Sequence, residues 1–308
     1  MAENEEKHLD PITFAFARFS LNISLCYTEV SPQYFIKSNV HVLLISLTGF
    51  DSDLVAGPAL LGIMHLSLLE PQEILVDSSI RGHGHGHGSS QSIEDSVNVS
   101  KSSTLGNGFD IGNTSGSGSI ANEAGKTTKT LNMKASIVDE HLLPALLPHM
   151  VHGNSKYILI QACKLCASLA LYFPNKPELA RSGCFHSLFD LLQGDHKEVN
   201  EDIQYAALCA LVNIVNGSDA NRNLAVELKG IRPLLVTIRL SSNDFLLYEA
   251  CKVLTNMCYC NSYTSGCILS SAGDVVLLQL LDGCDILRSH EIVHSSLCAL
   301  TNMSNSET

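Results

Sequence analysis

Histidine and cysteine are the first residue types to test for chemistry, since both bind metals and cysteine is also a nucleophile. The tract Gly82-His83-Gly84-His85-Gly86-His87-Gly88 could take Ni²⁺, Cu²⁺ or Zn²⁺ through its imidazoles. It lies in a low-complexity stretch, where ordering a chain around an ion is entropically costly and simple expansion accounts for the tract without a metal. Cys163-x-x-Cys166 has the spacing of half a zinc or redox site, and Cys258, Cys260 and Cys267 form a looser cluster with no second ligand pair. The chain holds no Gly-x-x-x-x-Gly-Lys phosphate loop, no Gly-x-Ser-x-Gly elbow and no His-Glu-x-x-His. The expectation is therefore no catalytic residue, no metal and no cofactor.

The cysteine pair sits inside a pattern that recurs along the chain, so the repeated element decides what the pair does. Ala162 to Ser168, Ala207 to Asn213, Ala250 to Asn256 and Ser296 to Asn302 align, their closing residues spaced by 45, 43 and 46 residues. Asn22 and His65, 43 residues apart, close two earlier copies. The slot of Cys163 holds Leu208, Cys251 and Leu297 elsewhere, so it calls for an apolar side chain, and Cys behaves as one. A second landmark follows each closing residue: Asn39, Gly230 and Gly273 after 17 residues, and Gly183 after 15. Gly or Asn is what a helix end needs where the backbone turns left-handed. Leu44 and Leu47, Leu188 and Leu191, Leu235 and Ile238, Leu278 and Leu281 then recur at plus 5 and plus 8, on one helical face. The unit reads as a short helix, a second with a Leu stripe, and a longer third carrying Ala-x-x-x-Leu-x-Asn. Three helices in about 43 residues cannot bury their apolar faces alone, so copies must stack.

These residues resemble the armadillo repeat family, whose third helix carries a comparable Ala-Leu-x-Asn signature and whose first helix ends at Gly. The resemblance covers Asp10 to Glu70 and Val138 to Thr308. It implies an all-α fold, a right-handed α-solenoid of armadillo type, with HEAT repeats as the fold-level alternative. It also implies a function: a non-catalytic scaffold that binds an extended segment of another protein in its concave groove. In the family the closing Asn hydrogen-bonds the bound backbone, which would give Asn22, Asn213, Asn256 and Asn302 that role. An amide suits it, having both a donor and an acceptor. The alternative is that each Asn ties its own helix to a neighbour. Four residues earlier, importin-α-type members place Trp; this chain has none, and holds Arg18, Leu61, Lys164, Cys209, Lys252 and Cys298 there. Arg18, Lys164 and Lys252 look more like the β-catenin style of groove, which takes acidic extended ligands; alternatively they are solvated cations. Tyr205 and Tyr248, eight residues before the Asn, would serve as aromatic anchors or fill the space between repeats.

Composition bounds the rest. Residues 78 to 130 are dominated by Ser, Gly, Asn and Thr, which cannot repay the entropy of folding. The expected organisation is a flexible segment over 1–9, repeats over 10–76, a disordered insertion over 77–136 and repeats over 137–308. A formal charge of −12 argues against nucleic acid as a partner, and no 18-residue apolar run predicts membrane insertion. The acidic, polar first ten residues lack a secretory pattern, so a cytoplasmic chain is expected, with cytoskeletal or ciliary association as the setting of a structural alternative docked through loop edges or the convex face. With no polar capping repeat near Asn302, a fragment of a longer array is expected.

Overall fold

The computed structural model describes residues 15, 40–49, 52–68, 72–77, 126–131, 138, 142–193, 200–283 and 289–305. Asn22, Arg18, Asn39 and the Gly-His tract lie outside them. Contacts divide the chain into two compact units, residues 1–70 with 132–308, and residues 71–131.

Polar residues open many of the helices of the first unit and apolar stripes bury them. Helices α1 (Val40–Leu47) and α2 (Asp53–Ser67) come from the first half of the chain. After the second unit follow α3 (Leu142–Leu146), extended by a 3-10 turn to Met150, and α4 (Lys156–Leu169). Three-helix repeats then run α5 (Lys176–Arg181), α6 (Cys184–Gln193) and α7 (Glu201–Val215); α8 (Asp219–Glu227), α9 (Ile231–Leu240) and α10 (Asp244–Cys258); and α11 (Ser262–Ser270), α12 (Gly273–Gly283) and α13 (His290–Ser304). Side chains of Ser155, Asn200 and Asn243 accept from free N–H groups at the starts of α4, α7 and α10, and those of Ser218 and Asn261 do so for α8 and α11.

Like helices pack on like. The third helices α2, α4, α7, α10 and α13 pack each against the next; α6, α9 and α12 form a second row, and α5, α8 and α11 a third. This is the stack that the repeat spacing predicts. It runs from α2 to α4 without a break, although the second unit lies between them in sequence. Gly57 shows how closely they meet: a Cβ there would lie 2.2 Å from the Tyr157 ring. The stripe residues Leu44, Leu47, Leu188, Leu191, Leu235 and Ile238 are buried as expected. Leu278 and Leu297 are instead 55% and 50% exposed, because no described helix packs beyond α12 and α13.

The second unit holds β1 (Gln72–Asp77) paired antiparallel with β2 (Lys126–Leu131), Gln72 opposite Leu131 and Asp77 opposite Lys126. The expected insertion over 77–136 takes in β2 but only Asp77 of β1, and foresees no strand. The β-branched Ile74, Val76, Thr127, Thr128 and Thr130 suit a pleated ladder. Residues 78–125 lie outside the described residues.

Two of the hinge glycines act differently from the expectation. Gly183 has φ +97, as a left-handed helix end requires. Before α9 and α12, however, the left-handed residues are Lys229 at φ +61 and Ala272 at φ +60, each one position before the glycine. Gly230 is right-handed, with φ −66. These glycines are required by space: a Cβ on Gly230 would lie 2.3 Å from the Phe189 ring, and one on Gly273 2.4 Å from Ile268 Cγ2 and 3.0 Å from the Ile268 carbonyl. Ala272→Gly should therefore raise stability by about 0.5–1 kcal/mol, the relief of a left-handed Cβ exceeding the entropic cost of glycine. Gly273→Ala should lower it by about 1–3 kcal/mol through overpacking. Urea unfolding of the two variants checks the pair; loss of stability on Ala272→Gly would contradict the assignment.

Candidate partner-binding face

The asparagines mark where one third helix meets the next. Asn213 Nδ2 donates to the Ala167 carbonyl at 3.0 Å, Asn256 Nδ2 to Val212 at 3.2 Å, and Asn302 Nδ2 to Thr255 at 3.1 Å. Each acceptor immediately precedes the closing position of the preceding repeat, so one rung recurs three times. Of the two roles open to these residues, the tie to a neighbouring helix is present in all three. The side chains remain half-buried, and no described group meets Oδ1 of Asn213 or Asn256. At the two closing positions without Asn, Ser168 Oγ meets Ser67 Oγ at 2.6 Å in a buried pair, and His65 is half-buried.

A second tie, which the spacing did not announce, joins a first helix to the end of the third helix of its own repeat. Lys176 Nζ donates to the Asn216 carbonyl at 2.5 Å, and Arg222 Nη1 to the Tyr259 carbonyl at 2.6 Å. Asn216 and Tyr259 are the residues that end α7 and α10, so each cation meets the negative end of the following third helix. Both side chains are buried, and each also lies near an aromatic ring, Phe173 at 5.6 Å and Tyr259 at 5.9 Å. Burial and the nearby Arg222 lower the Lys176 pKa to about 8. The sequence carried little signal for these two cations, since both stand among polar residues, Asn175 and Glu178 for Lys176, Asn221 and Asn223 for Arg222.

The expected groove residues of α7 and α10 come together. Tyr205 is 40% exposed and stacks edge-on with Phe245, itself 70% exposed, at 6.3 Å between centroids. Phe245 carried no expectation, because the equivalent positions hold Tyr157, Asp202 and Glu291, with no ring common to them. Tyr248 is half-buried under Lys252, whose Nζ lies 4.7 Å from the ring centroid. The same Nζ donates to both carboxylate oxygens of Glu249 at 3.0 Å, and the Glu249 side chain is only 9% exposed. Lys252 is thus a paired cation, and a partner's carboxylate would have to compete with Glu249. Lys164 on α4 is exposed and in no ion pair among the described residues. Cys209, between Tyr205 and Lys252, has its pKa raised by burial and by Glu249.

Cys163, Cys166, Cys184, Cys251 and Cys258 are buried among the helices, as small apolar side chains would be. Burial pushes the Cys163 thiol up to about 12 and that of Cys258 to about 11. Cys166 donates to Cys184, and that bond with burial holds its pKa well up. Among the described residues no three His, Cys, Asp or Glu side chains gather as a metal site, and no single helix is long and apolar enough to cross a membrane.

The Glu249 pair makes an asymmetric prediction. Lys252→Met leaves a carboxylate buried and unpaired, and should cost about 1–3 kcal/mol. Glu249→Gln leaves an ammonium that can turn to solvent, and should cost less. Chemical denaturation of both variants checks this; equal losses would contradict it.

No family model and no curated protein matches the chain. Solved structures do. An engineered protein superposes with a TM-score of 0.66 at 15% identity, over 97% of this chain and 95% of that one. A designed armadillo repeat protein superposes with a TM-score of 0.66 at 13% identity, over 96% of this chain and 95% of that one. Another, in complex with the peptide (KR)4, gives a TM-score of 0.64 at 14% identity, over 93% of this chain and 91% of that one. At such identities the likeness shows the fold alone, and that fold is the armadillo-type helical repeat.

Proposed function

We propose that this protein is a cytoplasmic, non-catalytic scaffold whose third-helix face holds an extended segment of a partner protein. The observation that carries the reading is the juxtaposition of the exposed Tyr205 and Phe245 rings with the half-buried Asn213 and Asn256. Aromatic rings offer a large rigid contact at low entropic cost, and half-exposed amides can bond a peptide backbone whatever its side chains. A designed armadillo protein of similar fold was solved with a bound peptide. Tyr248 and Asn302 flank it, and Asn22 and Arg18, outside the described residues, are assigned the same role from the repeat pattern alone. An acidic segment is the less favoured occupant here, since Glu249 already holds Lys252 and leaves Lys164 as the unpaired groove cation among the described residues.

The test is selection of peptides from a display library on the wild-type chain, followed by binding to a Tyr205→Ala, Phe245→Ala variant. Both rings are exposed, so the variant should keep its helical spectrum. Loss of an aromatic anchor costs about 2 kcal/mol, so affinity should fall about 30-fold. Selected peptides that bind the variant unchanged would remove the third-helix face as the functional site. Lys252→Glu would be a poor probe of this surface, since it sets a second carboxylate beside buried Glu249.

A further inference from the structure

The first- and second-helix side of the stack carries a cleft between the repeats of α9 and α12. It holds three adjoining cavities, of about 690, 450 and 410 Å³. Arg232 lines the first two and Arg239 the last two, so the three lie in a row along α9. Arg232, Val236 and Arg239 stand at i, i+4 and i+7, one face of α9. Lys229, in the turn before α9, adds a third cation at the wide end. Val275 forms part of the facing wall of the middle section, and Tyr263 part of the wide end. These cations are exposed, and no carboxylate of a described residue lies within ion-pairing distance of Lys229, Arg232 or Arg239. Asp244, at the far end, closes the basic stretch.

We infer that this cleft is a second docking site, for an acidic extended segment of another protein that carries apolar side chains. Three unpaired cations on a chain of net charge −12 are a local exception that calls for carboxylates. The exposed Val236, Val275 and Tyr263, 40%, 45% and 52% accessible, call for apolar side chains between them. A long polyanion such as nucleic acid meets only the first demand, and would meet it on a chain of net charge −12. Along α9, Arg232 and Arg239 are about 10 Å apart, the span of about three residues of extended chain. The inference is independent of the third-helix reading, and places charge recognition on a different surface from peptide-backbone recognition.

The test uses a fluorescent octapeptide, Glu-Glu-Val-Val-Glu-Glu-Val-Val, which puts both residue types on each face of an extended chain, with the Lys-for-Glu octapeptide, octa-glutamate and a single-stranded DNA octamer as controls. Anisotropy should show the acidic octapeptide binding the wild-type chain more tightly than any control. Binding should weaken about tenfold in Arg232→Glu, Arg239→Glu and fall less in Arg232→Gln, Arg239→Gln, the milder pair guarding against a folding defect. The Tyr205→Ala, Phe245→Ala variant should bind the octapeptide as well as wild type does. Absence of binding, equal affinity for both arginine variants and wild type, or equal affinity for the DNA octamer would overturn the inference. Loss on Tyr205→Ala, Phe245→Ala alone would place the octapeptide on the third-helix face instead.

Discussion

The bond from a closing asparagine to the carbonyl of the preceding third helix is the constraint around which the stack is arranged. It is made at Asn213, Asn256 and Asn302, always to the residue just before the equivalent position one repeat earlier. Apolar burial drives the helices together but is non-directional. A side-chain amide that must reach one carbonyl fixes which turn of one helix meets which turn of the next. The spacing of 45, 43 and 46 residues between closing positions reflects that demand, since loops vary in length while the rung does not. Lys176 and Arg222 add a tie within each of two repeats, joining the end of the third helix to the first helix before it.

A surface that holds its own stack together can also receive a ligand only if it keeps capacity to spare. Asn213 and Asn256 keep some, because each amide donates once and stays half-exposed. Lys252 keeps little, because it bridges the Tyr248 ring and both oxygens of Glu249. Rows of like residues in a sequence can thus differ in what they offer, according to whether a neighbour has already engaged them. Besides Lys164, unpaired cations stand on the first- and second-helix side, at Lys229, Arg232 and Arg239.

Much of the fold was legible because a repeat writes the same demands several times over. The Leu stripes and the closing asparagines stand out by recurrence alone, and the stripe residues with a following repeat are all buried. What recurrence conceals is which of two reasons placed a residue. Gly230 and Gly273 look like left-handed helix ends but are small because Phe189 and Ile268 lie over them, a relation between residues far apart or across a turn. Glu249 was invisible beside Lys252, since the same position holds Gln161, Ala206 and Ser295 in other repeats. The β1–β2 ribbon escaped notice because a two-stranded ladder has no period to detect and its strands are 48 residues apart in sequence, between Asp77 and Lys126.

The most direct test of the account is the urea unfolding of Asn256→Ala and Asn256→Asp beside the wild-type chain. Both variants lose the donor to the Val212 carbonyl, so both should lose about 1 kcal/mol while the helical spectrum and the denaturant slope stay the same. If Asn256→Asp, which keeps the size of the side chain but not the donor, unfolds at the wild-type midpoint, the rung does not hold the stack.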